Sequence, residues 1–475
     1  MKKYFKYLLL PLLLSSCQGF LDKEPIAILD AGSFFQSEAD AIQAINAAYQ
    51  PLLFNNANNN FYWAFGVITG DEAITGGDGS RPGLTELEAF TYTPRTEEFN
   101  DFWKVQYQGI SQCNLVLDNL DKVDMGAAQR DRITGEALFL RSYYYFLLAQ
   151  VFGDVPLFLS IAPPDELKVP RTPVAQIYAQ IEAGCERAAT LLPESYPAAD
   201  IGRATKGAAY ALAAKAYLYE KKWEQALEQI GKIKALGIYD LMADYQDNFR
   251  EETQNNAESV WEIQHTNLEL GVGNFINQWW FSKKVEGYGF AEVTQEYFDS
   301  FEPDDPRRVF TIAKNNDDYF GVVYKNSFSA TKFSPRKYLQ ADSTLTQKAD
   351  GDINYTAIRY AEVLLWEAEA LNELGEVAAA QAPLEQVRAR ARAQAADPAI
   401  ALPPVTTTNQ EEMQQAIRHE RAVELGFEMH RFFDLVRWGI AAETLPGFQT
   451  GKHEVFPIPQ QEMDLNPALG QNGGY

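Results

Sequence analysis

The densest collection of reactive side chains lies near the end of the chain, in MQQAIRHERAVELGFEMHRFFDLVRWG, residues 413–439. His419-Glu420 is followed by Glu424 and by no histidine four residues on, so the zinc-protease pattern HExxH is absent. His430 and Asp434 share a helix face and with Glu420 or Glu424 could hold a metal, although a structural hydrogen bond between them is the expected arrangement. Elsewhere the chain has no P-loop, no dinucleotide-binding glycine fingerprint and no GxSxG. Two adjacent acidic pairs, Asp71-Glu72 and Asp304-Asp305, have the composition of a glycosidase dyad, which needs its carboxyl groups about 5–9 Å apart across the sugar. With 65 acidic residues such pairs arise by composition alone. The residues therefore predict a protein that is not an enzyme, with a glycoside hydrolase as the lesser alternative.

Binding chemistry is better represented. A saccharide offers a flat apolar face edged by hydroxyls, and a protein holds it with an aromatic ring under the face and amides, carboxylates or arginine around the rim. Two loops have that composition. The first offers Asn60, Tyr62, Trp63, Asp71, Asp78 and Arg81; the second offers Asn274, Asn277, Trp279, Trp280 and Tyr288. Trp63, Asp78, Arg81, Asn277, Trp279, Trp280 and Tyr288 are the candidate ligand contacts. Trp103, Trp223, Trp261, Trp366 and Trp438 lie in regular elements and read as packing residues. No metal or cofactor is called for, beyond a possible structural Ca²⁺ on a loop.

The elements that must position these loops are helical. Apolar residues recur at helical spacing over 33–54 and 97–120, and further helices are expected over 129–152, around GEALFLRSYYYFLLAQVF, and 174–192. Ala216 to Leu227 and Ala370 to Ala380 match the centre of a tetratricopeptide unit, with Gly375 at the second turn, and residues 413–439 form a poorer copy. Helix pairs are thus expected at about 129–192, 205–236, 356–395 and 410–439, each leaving an apolar face that a neighbouring pair buries. The charges of the last pair, Glu420, Arg421, Glu424, Arg431 and Asp434, read as its internal ties, and Arg141, set among apolar residues, should be paired. Residues 55–95 and 240–350 are rich in Gly, Asn and aromatics and read as an irregular lobe with a few short strands. The expected fold is mainly α: tetratricopeptide-like helix pairs in an α/α superhelix carrying a loop-rich ligand-binding lobe.

The 475 residues carry a net charge of −24 and are 46% hydrophobic. The acidity argues against nucleic acid as a partner, because phosphate recognition needs clustered Lys and Arg. Lys2, Lys3 and Lys6, then the apolar stretch Leu8 to Leu14, then Leu-Ser-Ser-Cys, read as a lipoprotein signal over 1–16, with Cys17 the lipid-attachment residue and 17–32 a tether to a single domain over 33–475. No later stretch is apolar for long enough to span a bilayer. Cys113 and Cys185 read as buried thiols, with a bond between them as the alternative.

The words ERAVELGFEMHRFFDLVRWG, LSSCQGFLDKEP, GEALFLRSYYYFLLAQVFGDVPL, IRYAEVLLWEAEALNELG and VFPIPQQEMDLNPALGQNGGY resemble, in their order and spacing, the SusD/RagB family of lipid-anchored nutrient-binding proteins of Bacteroidetes. The resemblance implies four tetratricopeptide helix pairs with an irregular ligand lobe. It implies anchoring at the outer membrane, exposed at the cell surface. It also implies a SusC-like TonB-dependent transporter as partner, to which a captured oligosaccharide, or for some members a peptide, is delivered without chemistry. The matched words are architectural, so they assign no ligand-contacting residue.

Overall fold

The computed structural model describes residues 34–55, 57–268, 271–341, 344–345, 347 and 349–475. The signal region, Cys17 and the tether lie outside the described residues.

Nine helices of twelve residues or more form the body among the described residues: α1 Glu38–Tyr49, α2 Glu97–Asn119, α3 Ala127–Phe152, α4 Val174–Leu191, α5 Lys206–Tyr219, α6 Trp223–Ala235, α7 Tyr360–Glu373, α8 Val377–Ala393 and α9 Gln410–Leu425. From α2 to α8 each packs on the next, α9 lies on α7 and α8, and α1 covers α2 and α3, giving a superhelix of antiparallel neighbours. Local chemistry sets the ends. Ser37 and Asp40 form a reciprocal capping box at the start of α1. Helix α3 is buried almost all round from Gly135 to Phe152, as a central helix must be, and Gly153 at φ 71° ends it. The α7–α8 turn uses Gly375 at φ 81°, and the α5–α6 turn makes the same left-handed step on Lys221 at φ 58°. Ala208, Ala209, Ala211, Ala213, Ala214 and Ala216 let the neighbours of α5 approach closely.

Arg141 on α3 is paired as expected, with neutral acceptors: its Nη1 donates to Asn114 Oδ1 and Leu159 O, both at 2.8 Å. Cys113 and Cys185 are buried and free.

The lobe is made of short antiparallel pairs. Strand β1 Ala73–Thr75 pairs with β3 Ala291–Val293, so Ala73 faces Val293 and the two candidate loops are stitched together. Strand β2 Ser259–Ile263 pairs with β8 Tyr355–Arg359 through an irregular register. The two-residue strands β4 Ile312–Ala313 and β7 Ser334–Pro335 form a third pair, and β5 Asp318–Tyr319 and β6 Val322–Val323 a fourth.

Lobe and helices are joined by buried ions rather than by apolar surface alone. Glu424 of α9 accepts from Arg307 Nη1 at 2.9 Å, from Arg359 Nη1 at 2.6 Å and from Arg390 of α8. Arg359 also reaches Glu258 at 2.7 Å and Glu428 at 2.8 Å, and Lys337 binds Glu428 at 2.8 Å. Glu420 takes Arg307 and, at 2.8 Å, Arg388. Every charge here has a counter-charge, the condition on which such groups can be buried at all. The charges of residues 413–439 therefore tie the last helices to the lobe as well as to each other. Internal ties of the kind the sequence suggests are made at Asp434, which pairs with Arg421 at 2.9 Å and with Arg437 at 2.8 Å. His430 likewise faces Lys215 at 3.5 Å and Glu362 at 3.7 Å, while the carboxylate of Asp434 is taken by Arg421 and Arg437.

Candidate functional site

The first loop enters the core with Trp63, continues through the five-residue π-helix Ala64–Ile68, and reaches the surface only after β1, at residues 76–81. The second forms the short helix Ile276–Trp280, then turns back on itself: Tyr288 N–H donates to Gln278 O at 2.7 Å, Gly289 N–H to Phe281 O at 2.8 Å and Phe290 N–H to Trp279 O at 2.8 Å. The loops meet along one line. Gly76 N–H donates to Phe290 O at 3.1 Å, and the exposed Asp78 carboxylate lies 2.8 Å from Lys283 Nζ. That lysine, with the Ser80 hydroxyl and amide, holds the Asp78 carboxyl well below the usual carboxylate range.

The candidate contacts divide sharply by exposure. Trp63 and Trp280 are fully buried, Trp279 is 4% exposed and Asn277 1%. Trp63 stacks on Trp279 at 5.4 Å and meets Trp280 edge-on at 6.1 Å, and Trp280 in turn packs on Phe427. Asn277 Oδ1 accepts from Gln340 N–H at 3.0 Å. These four residues present no free face, which corrects the expectation that they contact ligand. Large aromatics in a glycine-rich loop are here the pegs that fasten the loop to the body. Asn60 and Tyr62 are buried for the same reason, Tyr62 donating to Gln150 on α3 at 3.0 Å.

Tyr288, Arg81 and Asp78 do come to the surface. Tyr288 is 44% exposed, its ring backed by Phe290 at 5.3 Å and Phe275 at 6.1 Å. The Arg81 guanidinium lies over Phe61, 5.1 Å from the ring centre, and Phe61 stacks on Trp279. Arg81 is thus held by π contact, with only a distant 4.0 Å approach to Glu97. Sequence reasoning missed Phe61, Phe275 and Phe290, which support these residues, and Lys283, which bridges the loops. The Lys283-Lys284 pair, the one basic cluster in this aromatic loop, is the signal that marks the last of these. Tyr288 offers a backed apolar face, and Arg81, Asp78 and Lys283 supply charged groups on the two loops that carry it.

The carboxylate pairs do not form a dyad. Asp71 is gripped by Arg431 at 2.6 and 2.7 Å. Glu72 is buried, accepts from Phe427 N–H at 3.2 Å, and is pushed up to about 8 by burial and then by the neighbouring Asp71. Asp305 is buried on Arg307, while Asp304 is exposed. Neither pair presents two free carboxylates.

Comparison with known proteins agrees with this architecture. The SusD family model matches residues 257–455, and a family described as starch-binding, associating with the outer membrane, matches residues 19–218. SusD-like protein P25 of Formosa agariphila is 27% identical, with 97% of each chain covered. Among solved structures, a laminarin-binding SusD-like protein superposes with a TM-score of 0.81 at 29% identity, covering 93% of this chain and all of the other. Surface glycan-binding protein A of Bacteroides uniformis gives 0.78 at 27%, covering 92% and 99%. With both halves of the chain matched in order and the same fold over nearly its whole length, this protein belongs to the SusD/RagB family.

Proposed function

We propose that this protein is a surface glycan-binding lipoprotein that captures oligosaccharide, without chemistry, and passes it to a SusC-like TonB-dependent transporter. The observation that carries the reading is the patch where the two loops meet. Of the four aromatic candidates only Tyr288 is exposed; it is backed by Phe290 and Phe275, and the paired loops also carry Arg81, Asp78 and Lys283. Similarity to glycan-binding relatives supports the ligand class and makes laminarin oligosaccharides the first to try. Cys17 would carry the lipid, placing the domain at the outer membrane. Among the described residues no helix is long and apolar enough to cross a membrane.

The test is a glycan array followed by calorimetry. Tyr288→Ala should weaken oligosaccharide binding by at least about tenfold, the usual scale for a truncated aromatic anchor, with the unfolding midpoint unchanged. Arg81→Gln should weaken it less. Absence of binding across the array, or full affinity in Tyr288→Ala, overturns the assignment of this patch. Co-purification with a large outer-membrane barrel tests the delivery step separately.

A further inference from the structure

A cavity of about 100 Å³ lies far along the chain from that patch in its helical lining, where the α5–α6 turn meets α7, α9 and the short helix Arg431–Arg437. Trp223 and Trp438 border it, and both are half-buried rather than packed away as their place in regular elements suggests. Arg418 of α9 also borders it and differs from its neighbours. Arg437 is paired with Glu369 and Asp434, Arg421 with Asp434, and Arg388 with Glu420 and Glu302. Arg418 lies over Trp438 at 5.2 Å, has no ion pair among the described residues, and its Nε is shielded without a hydrogen-bond partner. Glu369, Glu373 and Glu443 attract it from a distance without closing an ion pair, and the first two make other bonds. Glu369 holds Arg437 and accepts from Trp438 Nε1 at 2.9 Å; Glu373 accepts from Gln414 Nε2 at 2.8 Å through Oε1. Exposed Lys221 adds a cation at the rim.

We propose that this cavity is a carboxylate site for an acidic sugar, taking the uronate unit at the end of a glycan chain. A guanidinium stays charged and is matched to a carboxylate in shape. Here it rests on the Trp438 ring and makes no ion pair among the described residues. The cavity admits a carboxylate and an adjoining hydroxyl, and the end of a glycan chain supplies both. The sugar ring then lies at the mouth against an indole face, and a hydroxyl donates to the remaining lone pairs of Glu373. The carboxylate terminus of a peptide supplies the same anion without a sugar ring for the indole face, and its binding is one outcome of the test.

The full-length protein is titrated calorimetrically with methyl glucuronide, methyl glucoside and acetate. The glucuronide should bind about tenfold more tightly than the other two, and added salt should erode that margin. Arg418→Gln should abolish the margin with an unchanged unfolding midpoint, because no ion pair is lost, and Arg418→Lys should keep part of it. Tyr288→Ala should leave it intact, which separates this site from the loop patch. The proposal is overturned by a margin that survives Arg418→Gln, by acetate or a peptide carboxylate binding as tightly as the glucuronide, or by a glucuronide that does not bind.

Discussion

Glu72 gives the most direct test of the electrostatics at the junction of lobe and helices. It follows Asp71 on the segment leading into β1, is 1% exposed, and meets the amide of Phe427 at 3.2 Å. Burial dominates its shift and the negative Asp71 adds to it; Arg431, already gripped by Asp71, offsets only part. The folded state therefore keeps the proton up to about pH 8, whereas the unfolded chain releases it near 4.5. The folded pKa is the higher one, so the contribution of this group is most favourable below about pH 4.5 and is lost as pH rises through about 8. The gap of about 3.5 units, at 1.36 kcal/mol each, sets an upper bound of about 5 kcal/mol. Glu72→Gln keeps an acceptor for the Phe427 amide and cannot ionise. Its buried amide costs about 1–3 kcal/mol at any pH if its donors find no partner. The stability difference between variant and parent, from urea unfolding at a series of pH values, should then shift in favour of the variant by about 2–5 kcal/mol between about pH 4.5 and 9. Parallel curves, differing by a constant across that range, would refute the reasoning and place an ionised carboxylate at residue 72.

Other perturbations probe the remaining elements. Glu424→Gln leaves the guanidiniums of Arg307, Arg359 and Arg390 around a neutral group and should cost about 3–5 kcal/mol in denaturant unfolding. Trp280→Ala removes a fully buried ring and should cost about 3–5 kcal/mol, so any loss of ligand binding should track loss of folded protein. Lys283→Ala breaks an exposed ion pair and should change stability by less than about 1 kcal/mol, read as the unfolding midpoint. Cys113, buried and pushed up to about 12, should resist thiol reagents in the native state and react on unfolding, followed by mass spectrometry.

Much of the helical body was legible because its signals are local. The three-to-four-residue spacing along α1, α2 and α9, the continuous apolar run of α3, the small residues of α5 and the glycine of the α7–α8 turn each act within a few residues, so a linear reading captures them. The same is true of the two binding-type loops as segments: their glycine and asparagine content marks them, and the structure does bring Asp78, Arg81 and Tyr288 to one surface. Composition could not tell a tryptophan that anchors a loop from one that offers a face. Trp63, Trp279 and Trp280 became pegs because β1–β3 pairing draws both loops onto the body, while Tyr288 stayed outside on a turn folded back over the helix before it.

For residues 413–439 the sequence by itself determined a helix with an amphipathic face, a following aromatic turn and an excess of charges that had to be paired if buried. It could not say with what. Glu424 meets Arg307, Arg359 and Arg390, which come from three other elements, and Arg431 meets Asp71, 360 positions away. Arg418 has the same side chain and the same helix as its neighbour Arg421, but it faces a cavity where Arg421 faces Asp434. Helical periodicity follows from backbone geometry and is written locally. The partner of a buried charge is chosen by which distant elements share the same low-dielectric volume, and only the tertiary structure decides that.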